Sequence, residues 1–323
     1  MRRYLIRRVV QAVFMLFVMS IVFFTLLHLI PGGPDAVIGA NNPHITPIQR
    51  AAIRHRFGLD QPVPIQYLSW LGNALHGDFG ISFSNSLPVA QELAARIPAT
   101  LELFLTALGF ALIMAILLGV TAAVKQYSIT DYLITVLSYI GISMPVFWFA
   151  LLLQELFGVQ LGLLPVFGRT AADTTSFTNL EIFEDYVVHL ILPAIVLSLL
   201  FIATWSRFLR SSMLEVIKQD YIRTARMKGL GARQVFFRHA LRNALIPLVT
   251  VVAISFGGIA GGAIITETIF AWPGLGRLFL VAVNFPDYPT LLAYLLFGAA
   301  SVIFFNLVAD ILYGVIDPRI RYS

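Results

Sequence analysis

The chain has 323 residues, of which 58% are hydrophobic and only 12% charged. A water-soluble domain carries about 25% charged residues, so this chain has too little polar surface to cover itself in water, and lipid is the expected solvent for much of it. It contains no cysteine, which excludes disulfides, thiolate metal sites and cysteine nucleophiles; the net charge of +5 takes its meaning from where the basic residues sit.

A membrane-crossing helix needs about 20 mostly apolar residues. Six such stretches are predicted, at about Val9 to Ile30, Leu101 to Val124, Tyr132 to Phe157, Val187 to Trp205, Ala244 to Thr266 and Leu291 to Ile316. The first is too long for a signal-peptide core and no small-x-small cleavage pattern follows it, so it reads as a retained span. Pro145 and Pro193 fall inside the third and fourth and are expected to kink them. The expected division is 1–30 for the N-terminal tail and first span, 31–98 for an outer cap, 99–316 for a core of five spans, and 317–323 for a tail.

Arg2, Arg3, Arg7 and Arg8 precede the first span, Lys125 lies between the second and third, and Arg319 and Arg321 follow the last. The segment 207–243 holds the densest basic cluster, from Arg207 and Arg210 to Arg238 and Arg242. Six spans put all four segments on one side. By the excess of Lys and Arg in cytoplasmic loops, that side is the cytoplasm, with both termini there and the protein multi-pass in the cytoplasmic membrane. In the outer cap, Thr46-Pro47 reads as a helix start, with a short helix through His55 and Arg56 stopping at Gly58 and a second from about Ile65 to Leu75. The outer segment 158–186 shows little periodicity.

The loop 207–243 is long enough to have its own structure. Ser211 and Ser212 suit a helix start; Leu214, Ile217, Tyr221 and Ala225 then share one helical face, and Gly229 and Gly231 break the helix before a second, "ARQVFFRHALRNAL". Taken alone, this is a basic interfacial helix pair that does no more than satisfy the orientation rule.

Its wording says more. From Asp220, "DYIRTARMKGLGARQVFFRHALRNALIPL" resembles the cytoplasmic loop signature of binding-protein-dependent ABC importer permeases, which is built on Glu-Ala-Ala, three residues, then Gly. The matching positions are Arg223, Thr224, Ala225 and Gly229, with arginine in place of the acidic residue, a departure that resembles the peptide-permease branch. "GLDQPVPIQYLSW" and "HGDFGIS" in the cap, "SSMLEV" before the loop, "TETIFAWPGLGR", "DYPTLLAYLL" and the terminal "LYGVIDPRIRY" are similar to the same branch, so the likeness runs the length of the chain. It implies an all-α, six-span type I importer permease, the first of two permease subunits. The implied partners are a second homologous permease, two separate ATPase subunits that carry ATP and Mg, an extracytoplasmic solute-binding protein, and lipid, with no nucleic acid. Tyr221, Arg223, Thr224, Ala225, Arg226, Lys228, Gly229, Gly231 and Phe236 would form the coupling element against an ATPase. Trp272, Pro273, Gly274 and Arg277 would lie where the binding protein docks. The branch includes carriers of dipeptides, oligopeptides, glutathione and nickel complexes; peptides are the expected solute.

No G-x-x-x-x-G-K-[S/T] phosphate loop occurs, so no cofactor is expected on this chain and it is not expected to be an enzyme. Asp310 reads either as pairing with a neighbouring helix or as a pathway residue, Glu267 as an outer gate, docking or plain interfacial residue, and Glu102 and Glu155 as interfacial. Gly257 with Gly261 and Gly258 with Gly262 form small faces that permit close helix contact or a sliding pathway helix. The six histidines show no metal-ligand spacing, so no metal is expected. A stand-alone secondary transporter would show inverted halves, which the sequence lacks, and an intramembrane protease would need a second intramembrane aspartate.

Overall fold

The computed structural model describes residues 2–29, 46, 48, 51, 54, 55, 58–259 and 263–316. The first cap helix falls almost wholly outside them, as do Gly261, Gly262 and the 317–323 tail. Among the described residues the secondary structure is helical, apart from one isolated bridge between Ile81 and Pro88.

Helix α1 spans Arg2–Leu29. The second cap helix, α2 (Val63–Leu75), begins at Pro62-Val63-Pro64, where missing N–H groups cost nothing because the first turn leaves them unpaired. The two longest helices are α3 (Val89–Val124, 36 residues) and α6 (Asn179–Ile217, 39 residues). At 1.5 Å per residue they are roughly 55 Å long, against about 30 Å of hydrocarbon. Both therefore project well beyond the apolar stretches that the sequence marks as spans. A capping box of Thr178 and Glu181 fixes the start of α6, and Pro193 lies within it without ending it.

Three expectations are corrected. The third span is not one kinked helix: α4 (Ile129–Ser143) and the following Val146–Gln160 segment, called α5, meet at 105°. Pro145 stands at the break and Met144 before it is extended, as a residue preceding proline must be. The fifth span, α8 (Ala232–Gly258), starts earlier than predicted and ends at its glycine pair. Thr266 and Glu267 belong instead to a separate short helix, α9 (Ile264–Ile269), followed by α10 (Leu275–Asn284), which the sequence reading does not anticipate. The last span is α11 (Tyr288–Ile316). Among the described residues five helices are thus long and apolar enough to cross a membrane, and six if the bent α4–α5 pair is one broken span.

The core runs along α3 and α6. Phe104, Leu108, Ala111 and Ala115 of α3 meet Trp205, Leu209 and Met213 of α6, and Ala240, Ala244 and Leu248 of α8 close the cluster. Helix α1 packs at the periphery, with Phe24 and Leu27 against Leu291 and Leu292 of α11. Outward-facing residues such as Val10 (62% exposed), Phe14 (66%) and Leu137 (64%) present large apolar surface of the kind that demands lipid or a protein partner.

Candidate functional site

The basic loop folds as an extension of the core. Helix α6 continues to Ile217, so Ser211 and Ser212 lie inside it and do not begin a new helix; the Ser212 hydroxyl donates to the Ala244 carbonyl at 3.0 Å. After a break at Lys218-Gln219 comes α7 (Asp220–Met227). It is closed by Gly229 at φ +78°, where any side chain would be strained. The N–H of Gly229 donates to Arg226 O at 3.0 Å and that of Leu230 to Ala225 O at 3.4 Å, the paired bonds of a Schellman cap. Ile222 is fully buried and Ala225 nearly so, packed with Met213 and Val235 between the ends of α6 and α8. The Asn243 amide donates to the Tyr221 hydroxyl at 3.2 Å and to His239 O at 2.8 Å. Loop, α6 end and α8 start are therefore one rigid block.

This sorts the coupling residues. Tyr221, Arg223, Thr224, Arg226, Lys228, Gly229 and Gly231 are exposed. Ala225 faces the core and supports the loop from within, while Phe236 is half-buried. The exposed apolar groups are Met227, at 80% the barest, and Phe237 at 56%. The sequence reading missed both; each is a large apolar residue beside basic ones, and Met227 also lies on the face of α7 away from Ile222. The Arg223–Asp220 pair is 3.9 Å apart and open to water, a geometry in which ion pairs contribute little.

On the outer side the "TETIFAWPGLGR" segment is a packed joint. Glu267 has no exposed surface. Its carboxylate accepts from the Thr100 hydroxyl at 2.9 Å and from the Arg277 N–H at 3.0 Å, and so caps the first turn of α10. Thr100 in turn accepts the Leu275 N–H at 2.7 Å. Gly274 and Gly276 make room for the carboxylate, and a Cβ on Gly276 would also lie 2.7 Å from the Ile264 Cα. Trp272 is likewise fully buried, its indole N–H donating to Ala99 O at 2.7 Å. Trp272 as a docking contact is therefore corrected: it anchors α9 to α3. Pro273 and Arg277 are half-buried, and Glu267 is a structural cap between helices.

Asp310 meets Arg8 of α1 at 3.0 Å, near the end of the bundle that carries the basic loop. Glu102 pairs with Arg169 at 2.7 Å, and Arg169 lies over the Tyr186 ring. A Cβ on Gly257 would touch Val302 Cα at 3.4 Å and one on Gly258 the Phe104 ring at 3.6 Å, so both glycines mark close helix packing. Two buried aspartates escaped the sequence reading. Asp131, at the start of α4, is held by Arg210 of α6 through bonds of 2.6 and 2.7 Å. Asp287 accepts from Ser82, the Phe83 N–H and Ser84, tying the outer loop to the start of α11. Among the described residues no three metal-ligating side chains gather.

The family described as the binding-protein-dependent transport system inner membrane component matches residues 115–322, and its N-terminal companion family matches residues 1–104. The chain is 41% identical to the dipeptide transport system permease protein of Alkalihalophilus pseudofirmus over 335 residues. It is 42% identical to the oligopeptide transport system permease protein of Bacillus subtilis over 323 residues. It is 41% identical to the dipeptide transport system permease protein of Escherichia coli K12 over 339 residues. In each case both chains are covered in full.

Proposed function

The chain belongs to the family of binding-protein-dependent transport system inner membrane components, and from that premise we propose that it is the transmembrane permease subunit of an ATP-driven importer for short peptides. Peptides are favoured because the relatives that match it end to end are dipeptide and oligopeptide permease proteins. The chain is a conduit and no enzyme. ATP and Mg belong to two separate ATPase subunits, a second homologous permease completes the path, and a soluble binding protein delivers solute from outside. The excess of Lys and Arg supports a cytoplasmic position for both termini and the 207–243 loop.

The observation that carries this reading is the tip of the basic loop. Met227 and Phe237 are bare, Arg233 lies over the Phe237 ring at 6.0 Å, and Arg223, Arg226 and Lys228 are exposed on the same loop. Apolar anchors beside cations suit a groove with an acidic rim, where the charges guide encounter and the anchors hold. The block beneath is rigid, so a displacement at the tip moves α6 and α8 as a body. The test is uptake into vesicles holding the complete reconstituted importer. Labelled dipeptide should accumulate with binding protein outside and ATP inside, and not with a non-hydrolysable analogue; uptake that ignores ATP would overturn the reading.

A further inference from the structure

A groove of about 450 Å³ lies between α4 and α6, lined by Thr135, Tyr139, Thr204, Arg207, Phe208, Arg210 and Ser211. Arg207 stacks over the Tyr139 ring, with its guanidinium carbon 4.1 Å from the ring centroid, and donates to the Tyr139 hydroxyl at 3.1 Å. Two cations line the groove, Arg207 and Arg210, and the buried Asp131 is bonded to the second. Arg210 and Asp131 compensate each other through two hydrogen bonds, and the Tyr127 N–H adds a third to the same carboxylate at 2.9 Å. Arg207 has no carboxylate partner among the described residues, so the groove keeps one uncompensated cation. An aromatic ring holds that cation in place, which lowers the entropic cost of using it.

From this geometry we infer that the groove binds the headgroup of an anionic phospholipid. Its polar floor offers the free donors of Arg207, the remaining guanidinium N–H groups of Arg210 and the Ser211 hydroxyl, a set matched to phosphate oxygens. Its flanks are apolar and bare: Tyr132 is 60% exposed, Val136 53%, Leu200 44% and Phe208 39%. Leu200 lies about two turns from Arg207 toward the middle of α6, where an acyl chain would lie, and Phe208 lines the groove itself. Arg207 is one turn nearer the middle of α6 than Arg210, and its guanidinium is held against Tyr139 of α4. Basic pockets between spans on the side that carries the basic loops are where anionic headgroups bind. The inference rests on the membrane reading above but not on the proposed orientation, because it is tested in micelles.

The purified importer is equilibrated in mixed micelles of detergent with equal phosphatidylglycerol and phosphatidylcholine, and the retained lipid is counted by mass spectrometry. The intact protein should retain phosphatidylglycerol preferentially. Arg207→Gln should cut that preference about fivefold, the effect of one arginine near an anionic surface. Arg207→Lys should keep part of it, and Lys218→Gln, outside the groove, should leave it unchanged. Ser211→Asp, at an exposed position where the fold has nothing to lose, should abolish the preference by repulsion. Equal retention in wild type and Arg207→Gln overturns the inference. So does displacement of the lipid by inorganic phosphate, which would make the groove a free-anion site, and so does loss of the second permease subunit from Arg207→Gln with lipid retention intact.

Discussion

Asp131 and Arg210 meet through two parallel N–H···O bonds of 2.6 and 2.7 Å, with the aspartate side chain only 2% exposed. The pair joins the first turn of α4 to the end of α6 that leads into the basic loop. It lies just where the chain leaves one long core helix for the coupling block. Motion of that block would be felt by α4 through this contact.

Removing Asp131 leaves the partly exposed Arg210 without its carboxylate. Asp131→Asn should destabilise the protein by about 3 kcal/mol, near the lower end for a broken buried pair because Arg210 is 27% exposed. Thermal unfolding in detergent measures it. Pairing the change with Arg210→Met should recover most of the loss, since neither charge is then stranded.

The Glu267 cap makes a second prediction. Gly276→Ala drives a methyl group into the Ile264 backbone and the carboxylate, and should cost about 1–3 kcal/mol as overpacking. Glu267→Gln, which keeps the shape and an acceptor oxygen, should cost less. If Glu267 acted as a gate, the order for transport would reverse, with Glu267→Gln the more damaging at unchanged stability.

Asp287 should hold the outer hairpin. Asp287→Ala removes the acceptor of Ser82, Phe83 and Ser84 together with the Thr290 N–H at 3.4 Å. The expected cost is about 1–2 kcal/mol, as for a lost N-cap. Hydrogen exchange should show faster opening at residues 82–84 with the α3–α6 core unaffected.

Orientation has a direct check because the chain contains no cysteine. Single cysteines at Lys228 and Asp173 should react with an impermeant maleimide from opposite sides of intact cells, Asp173→Cys from outside and Lys228→Cys only after permeabilisation. Labelling of both from one side would remove the six-crossing topology.

How much was legible follows from what kind of signal each feature leaves. Apolar runs announced the spans because lipid demands them over about 20 residues. They said nothing of where α3 and α6 end, since the projecting turns are polar and obey no hydropathy rule. Pro145 was visible, but a kink and a 105° break read alike in sequence. The break of the fifth span at Gly257-Gly258 was hidden because glycine suits both close packing and an ending. Glu267 and Trp272 looked like surface residues because their partners, Thr100 and Ala99, are far away in sequence. Asp131 was missed for the same reason: a buried charge is recognised by its partner, here Arg210. The loop tip was read correctly as basic, yet its apolar anchors Met227 and Phe237 emerged only once Ile222 and Ala225 defined which face turns inward.

The most direct test of the account is stimulated ATP hydrolysis by the assembled importer carrying Met227→Asp and Phe237→Asp in this chain. Both side chains are exposed, so the protein should fold, enter the membrane and unfold at the same temperature as wild type. The account predicts that the ATPase subunits no longer co-purify, or that binding protein loaded with peptide no longer stimulates their hydrolysis. Full stimulation and full peptide uptake in that variant would contradict the claim that the loop tip couples this permease to its motor.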